Sequence, residues 1–299
     1  MCCRKRKLHQ IFLMLQASTV QLLRLKFSFF LMPVFWFALS QVENIHFTHT
    51  ILIFIVLHLL VYPASNGYNS YMDRDTESVG GLKNPMQPTK ELFYVTIVMD
   101  VLALLISTFI SSYSFFCVVG FIAASRSYSY RGIRLKQYPI IGFIVTSIFQ
   151  GGMVYFLVNH GSNVSKTLNV PLLPIIASSF LIGSFYPLTQ IYQHEQDKAD
   201  GVKTLSMLLG YNGTFIFTGL WFFIAMNLMA IYFFLNLEQL LFFTIALFTL
   251  PTLIFFFWWM MKVRKDITEA NFENTMRMNI IASICTNAAF IAVLIIEKY

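Results

Sequence analysis

The chain has 299 residues, of which 57% are hydrophobic and 12% charged; a soluble domain carries roughly 25% charged residues, so a soluble globule is excluded. The net charge of +7 would suit nucleic acid, but cations flanking membrane spans account for it through topology, and no nucleic-acid partner is expected. The four cysteines, Cys2, Cys3, Cys117 and Cys285, have neither disulfide-framework nor zinc spacing.

In chain order, residues 1–26 form a basic, amphipathic cytoplasmic segment: Arg4, Lys5, Arg6 and Lys7, then the stretch 8–25. It lacks a small-residue cleavage site and reads as an anchor; Cys2 and Cys3 beside the basic run are candidates for acylation. A bilayer core needs about 20 mostly apolar residues per helix. Nine stretches can supply them: 27–40, 50–65, 92–112, 114–125, 138–158, 168–192, 211–236, 240–261 and 278–296. The first, second and fourth are short and are expected to extend into flanking polar residues. Every Lys and Arg except Lys166 and Lys298 then falls on one side, cytoplasmic by the positive-inside preference. The expectation is an all-α, polytopic bundle of about nine transmembrane helices around a central cavity. It is one domain over 1–299 in the plasma or inner membrane, with its N-terminus inside and its C-terminus outside.

Three cytoplasmic segments concentrate the polar chemistry. After the second span come Asn69, Asp73, Asp75 and Glu77, then Lys83, Asn84 and Pro85. If the helix runs on, Asn69, Asp73 and Glu77 at i, i+4 and i+8 share one face. After the fourth span, Tyr128, Tyr130, Arg131, Arg134 and Lys136 offer cations and phenols to an anion. After the sixth, Gln190, Gln193, Asp197 and Asp200 form a second stripe at three- and four-residue steps, with Glu195 pointing elsewhere and Gly201 placed to cap the helix. Shifting the first stripe by 124 residues lays Asn69 on Gln193 and Asp73 on Asp197. An internal repeat would set the two stripes facing each other across the cavity.

Carboxylates and side-chain amides are hard oxygen donors of the kind Mg²⁺ takes, with substrate phosphate completing its shell. The pattern therefore points to a diphosphate handled through metal. Loop acids are more often solvated partners of nearby cations, here Arg74 and Lys198, and Arg131, Arg134 and Lys136 can serve topology alone; the pairing of the stripes on one face is what favours a site. His194 can hydrogen-bond instead of catalysing. Asp100 lies within a span, where an acid is costly and so a functional candidate by default. The many aromatics suit lipid-facing packing, and none is selected.

These residues resemble those of the UbiA superfamily of intramembrane prenyltransferases, over nearly the whole chain. The family's first motif, N-D-x-x-D-x-x-x-D, is matched from Asn69 through Asp73 to Glu77, and Asn84 and Pro85 resemble the following R-N-R-P. Its second, D-x-x-x-D followed by K-A-G-x-K-T-L, is matched by Gln193 through Asp197 and then Lys198, Ala199, Gly201, Lys203, Thr204 and Leu205. Tyr128, Ser129, Arg134, Leu135 and Lys136 are similar to the basic loop of the branch containing chlorophyll synthase. Ser70, Glu77 and Gln193 stand where the family has aspartates or another acid. The resemblance implies nine helices and a Mg²⁺ cofactor held by Asp73, Glu77 and Asp197 against a prenyl diphosphate. Asp73 and Asp197 would be the catalytic acids, and Asn69, Gln193, Tyr128, Arg134, Lys136 and Lys203 the diphosphate-binding groups. Transfer to an aromatic or other lipophilic acceptor inside a bilayer-facing cavity follows. The competing expectation, drawn from Gln193, is a degenerate relative that binds or helps transport a lipid or metabolite. An ordinary secondary transporter lacks inverted, interrupted helices to support it.

Overall fold

A computed structural model describes residues 15–298; Cys2, Cys3 and most of the basic leader lie outside them. The described residues form long helices without a sheet: α1 (Ala17–Ser40), α2 (Phe47–Asp73), α3 (Lys90–Thr108), α4 (Ser112–Ser129), α5 (Pro139–Ser162) and α6 (Leu172–Gln190). A short α7 (His194–Ala199) precedes α8 (Leu205–Leu235), α9 (Gln239–Lys265) and α10 (Phe272–Lys298). Eight of these are long and apolar enough to cross a membrane. The helix α4 runs between the same two faces, but its serines and Arg126 make it more polar. The short stretches extend as expected: 27–40 and 50–65 lie inside α1 and α2, and 114–125 lies inside α4.

Local breaks in these helices have chemical causes. Arg24 adopts a left-handed φ of 48° and divides α1, after which Leu25–Leu31 winds as a 3₁₀ helix. In α2 the turns Ile55–Val61 are π-helical just ahead of Pro63, whose ring rejects the ordinary i→i−4 bond. A second π turn, Ile148–Gly152, sits in α5. Its Gly151 lies so close to α6 that a Cβ would stand 2.6 Å from the Ser178 carbonyl oxygen, the small-residue approach that helices in lipid use in place of a hydrophobic drive. Gly210 takes φ 69° and ψ 176° inside α8, a bend that glycine permits.

The helices close into a ring in which α10 packs between α1 and α9, α6 against α5 and α8, and α2 against α3. The core lies where α1, α5, α8 and α10 meet: Phe37 stacks on Phe290 at 4.7 Å and meets Tyr155 edge-on at 5.2 Å. On one face the loop after α1 is tied to the loop after α5, with Val164 N donating to Asn44 O at 2.9 Å. The loops after α2, α4, α6 and α9 lie on the other face. Asp100 of α3 is bound by Arg126 of α4, whose guanidinium also covers the Tyr68 ring at 3.9 Å. Asp100 is therefore part of a half-buried interhelical ion pair and does not line the cavity.

Candidate functional site

Asp73 is the last residue of α2 and the anchor of the site. One turn earlier on the same face, Asn69 Nδ2 donates to Asp73 Oδ2 at 2.8 Å and lies 3.0 Å from Ser129 Oγ at the end of α4. Lys136 Nζ reaches the same carboxylate at 2.6 Å, and Arg134 stands 4.0 Å from its other oxygen. Asp73 is 3% exposed and Lys136 10%, so this is a desolvated pair. Both cations come from the loop between α4 and α5, where Arg134 at φ 48° redirects the chain into the 3₁₀ turn Leu135–Gln137 that carries Lys136. Arg134 also binds the Asp200 carboxylate and, at 3.2 Å, the Asp200 carbonyl, which ties the basic loop to the end of α7.

The cavity beside this cluster has a volume of about 280 Å³. Asn69, Asp73, Tyr128, Lys136, Gln193 and Asp197 all line it; the two stripes related by the 124-residue offset do meet at one space. Deeper, its wall becomes apolar through Phe30, Phe121, Phe149, Leu181 and Phe185. Tyr128 shares a hydrogen bond with the Tyr186 hydroxyl.

The stripes are shorter than the helical pattern suggested. The α2 helix stops at Asp73 because Arg74 turns left-handed at φ 56°. Glu77 leaves the helical face and is exposed, away from the cavity. Asp75 takes its place at the wall and accepts from Gln196 Nε2 at 2.7 Å. The second stripe is not one helix: α6 ends in the 3₁₀ turn Pro187–Gln190, and α7 restarts after Gln193. Gln193 and Asp197 still face the cavity, whereas Asp200 serves Arg134 and Glu195 is exposed. Gly201 takes φ 68° just beyond the α7 cap. Lys203, expected to bind diphosphate, is exposed, because the extended segment before α8 turns Val202 and Thr204 inward and Lys203 outward. His194 bonds to Ser206 Oγ at 2.8 Å and is not a wall residue.

Arg24 and Tyr186 are among the wall residues with no counterpart among the expected ones. Arg24, counted only as a topological cation, sits at the cavity and donates to Asn66 O at 3.0 Å, Gly80 O at 3.2 Å and Asn69 Oδ1 at 3.5 Å. Its signal in sequence was a cation between leucines, two residues before Lys26. Tyr186, beside Pro187, carried no sequence signal beyond being a phenol near the second stripe.

The electrostatics are those of crowded, desolvated carboxylates. Burial pushes the Asp197 carboxyl up to about 7, Lys136 opposing and Asp75, Asp73 and Asp200 adding to the rise. Burial and then Asp73 raise Asp75 to about 6, against the pull of Lys136 and Arg24. Asp73 Oδ1 is buried without a hydrogen-bond partner. Among the described residues no three acids, histidines or cysteines converge into a closed metal cage. An orphaned carboxylate oxygen and two acids that resist ionisation, all hard oxygen donors, nonetheless fit Mg²⁺, which is usually held by one or two carboxylates while phosphate oxygens complete its shell. Asp73, Asp75 and Asp197 are the residues that would hold it.

The chain is similar to known proteins by three measures. It is 26% identical over 167 residues to the 1,4-dihydroxy-2-naphthoate octaprenyltransferase of Bacillus subtilis (strain 168), a match spanning 52% of this chain and about half (53%) of that relative. A UbiA homologue from Archaeoglobus fulgidus bound to DMAPP and Mg²⁺ superposes with a TM-score of 0.70 at 21% identity, covering 94% of this chain and all of that one (100%). The same homologue bound to GPP and Mg²⁺ gives 0.68 at 22%, covering 93% and 99%. These structures share the fold. The model of the UbiA prenyltransferase family matches residues 30–281, most of the length, and the chain belongs to that family.

Proposed function

We propose that the protein transfers a prenyl group from a prenyl diphosphate to an aromatic or other lipophilic acceptor, with Mg²⁺ as cofactor and the cavity mouth on the cytoplasmic side. The observation that carries this reading is a single cavity joining a buried carboxylate and cation cluster to an aromatic, apolar interior. A prenyl diphosphate has the same two ends. The Bacillus relative's name and the ligands of the archaeal homologues support the same class of chemistry.

Bound Mg²⁺ supplies neutralisation of the charge on a leaving diphosphate. The chain's own groups do the rest. Lys136 and Arg24 bind phosphate oxygens, and the Tyr128 hydroxyl donates to them. The C–O bond breaks with its electron pair leaving on diphosphate, and the aromatic wall stabilises the allylic cation through its π faces. The enclosed cavity keeps water away so that the acceptor captures the cation and then loses a proton.

The test is turnover of labelled geranyl diphosphate with 1,4-dihydroxy-2-naphthoate and other ring acceptors in Mg²⁺. The Asp73→Asn, Asp197→Asn double variant should lose at least about 100-fold in rate, the scale of removing electrostatic stabilisation; unchanged turnover sinks the assigned site. A second reading rests on Gln193, whose amide is spent on the Ser78 carbonyl at 3.2 Å where the family motif has an acid: the protein binds a prenyl diphosphate as a lipid or metabolite carrier without releasing diphosphate. Sustained Mg²⁺-dependent diphosphate release excludes that alternative.

A further inference from the structure

The 3₁₀ run Leu25–Leu31 in α1 is seven residues long, whereas such windings rarely exceed three or four residues because their hydrogen bonds are poorly aligned. Its consequence is a row of side chains. In a 3₁₀ helix residues three apart eclipse one another; Arg24, which caps the run, and Phe27 and Phe30 within it all line the cavity. The Arg24 guanidinium stands over the Phe27 ring at 5.7 Å, and Phe27 meets Phe30 edge-on at 5.0 Å. An α-helix would set each member of the row roughly 60° around the axis from the one before, turning the rings off the wall.

Two polar side chains behind that wall hold the winding. Ser28 Oγ shares a hydrogen bond with His58 Nδ1 at 2.7 Å, and the two residues are 3% and 2% exposed. From α10, Asn287 Nδ2 donates to the Phe29 carbonyl at 3.3 Å. His58 occupies the middle of the π turn Ile55–Val61; such turns widen a helix locally, recur at functional sites and aim a side chain that a regular helix would hold elsewhere. Its ring packs against Phe54 at 4.7 Å, Tyr62 at 5.1 Å and Phe35 at 5.6 Å. An ionisable residue inside a span is a functional candidate by default, yet neither His58 nor Ser28 lines the cavity. Whatever His58 does for a substrate, it does through the segment it holds.

We infer that His58 is a positioning residue for the prenyl diphosphate: through Ser28 it locks the 3₁₀ winding of α1 and keeps Arg24, Phe27 and Phe30 in one row. A cation followed by two rings matches a diphosphate followed by successive isoprene units. This rests on the prenyl-transfer reading and adds to it a determinant of preference for tail length. Without the bond the segment relaxes toward ordinary α winding. Arg24 keeps its own bonds to the Asn66 and Gly80 carbonyls, so the loss falls on the tail and not on the diphosphate.

The experiment uses the full chain in nanodiscs with Mg²⁺. It measures Kd for dimethylallyl and geranyl thiodiphosphates, which resist cleavage and differ by one isoprene unit, on wild type, His58→Phe, His58→Asn and Ser28→Ala. Phe keeps the ring packing without the nitrogen, and Asn returns a group that can donate or accept near the Nδ1 position. The expected result for His58→Phe is a geranyl Kd raised about ten-fold, the scale of one hydrogen bond, with the dimethylallyl Kd within about two-fold of wild type. Ser28→Ala, a smaller change that removes the same bond if His58→Phe does not fold, should shift the preference in the same direction, and His58→Asn should recover most of it. An unchanged preference in both His58→Phe and Ser28→Ala overturns the inference. Equal weakening of the two ligands also overturns it, because the pair would then be merely structural, and so does a His58→Asn variant that recovers none of the preference. If the wild type binds neither thiodiphosphate, the prenyl-transfer reading falls first, and the inference with it.

Discussion

Asp73 is held by Asn69, Lys136 and, at longer range, Arg134, yet keeps one oxygen bare. A desolvated pair of this kind contributes little net stability, but breaking it by removing one partner costs about 3–5 kcal/mol, because the remaining charge is stranded. Lys136→Met should therefore destabilise the protein on that scale in detergent unfolding, and Asp73→Asn combined with Lys136→Met should recover most of the loss. If the double variant is as unstable as the single, the two side chains are not energetically coupled. The raised carboxyls set a pH dependence. Asp75 near 6 and Asp197 near 7 lie above the usual carboxylate range of about 4, so the folded protein holds these protons more tightly than the unfolded chain. Without metal, their stabilising contribution is fully present below about pH 4 and is lost as pH rises through 6 to 7. Mg²⁺ binds the ionised forms. Its effect on Tm should be small at pH 5 and grow through pH 6–7, and a Mg²⁺ shift that is flat from pH 5 to 8 counts against these carboxylates as its ligands. At this scale Asn69 with Asp73 and Gln193 with Asp197 were legible in the sequence as wall residues through helical spacing, and Tyr128 and Lys136 through the cations and phenols of their loop and its resemblance to the family's. Glu77 and Lys203 were misplaced because their positions depend on where a helix stops and on which side an extended residue turns. Those outcomes were decided by the left-handed φ of Arg74 and the inward packing of Val202 and Thr204.

Elements carry the site through their breaks as much as through their regular turns. The α1 helix delivers Arg24 only because it is interrupted there, and α5 delivers Gln150 from a π turn. Gly151 and Gly152 hold that turn against α6, with Gly152 N donating to Ser179 Oγ at 3.0 Å. A Cβ at Gly151 would meet backbone atoms of Ser178 and Ser179 at 2.6 Å, which cannot rotate away. Gly151→Ala should therefore force α5 and α6 apart and destabilise the protein by about 1–3 kcal/mol, the cost of overpacking, visible as a lowered Tm and as weaker thiodiphosphate binding. The same substitution at Gly120, whose nearest neighbours are the ends of Phe149 and Met153 at 3.5 Å and 3.6 Å, should be tolerated; equal destabilisation at both glycines would remove the argument from backbone contact. The spans themselves were readable from hydropathy, since lipid leaves no alternative to long apolar helices. The interruptions were less so: the π turn of α2 and the 3₁₀ ending of α6 adjoin Pro63 and Pro187, but the π turn of α5 sits where Gly151 meets α6, a contact that a single chain's periodicity does not encode.

At the scale of the whole molecule, charge and cavity agree. The loops on the cavity face carry Arg74, Lys83, Arg131, Lys136, Lys198 and Lys265, whereas Lys166 and Lys298 lie toward the other face, where Glu297 of α10 meets Gln41 of the loop after α1 at 3.2 Å. The positive-inside preference acts on short loops such as these, and it supports the proposed placement of the cavity mouth on the cytoplasmic side. Two exposed positions on opposite faces test this without touching the cavity wall: Glu77 in the loop after α2 and Val164 in the loop after α5. In a background with Cys2, Cys3, Cys117 and Cys285 replaced, Glu77→Cys should react with a membrane-impermeant maleimide only when the cytoplasmic face is exposed, as in inside-out vesicles. Val164→Cys should react only in sealed cells or right-side-out vesicles. The reverse pattern would turn the cavity outward and require a prenyl diphosphate to reach it from the far side. Reaction of both residues from one side would mean that the loops after α2 and α5 share a face, contrary to the passage of α3, α4 and α5 between them. The expected pattern leaves the charged mouth open to water on the side where the cations were placed, with the apolar depth of the cavity in the bilayer.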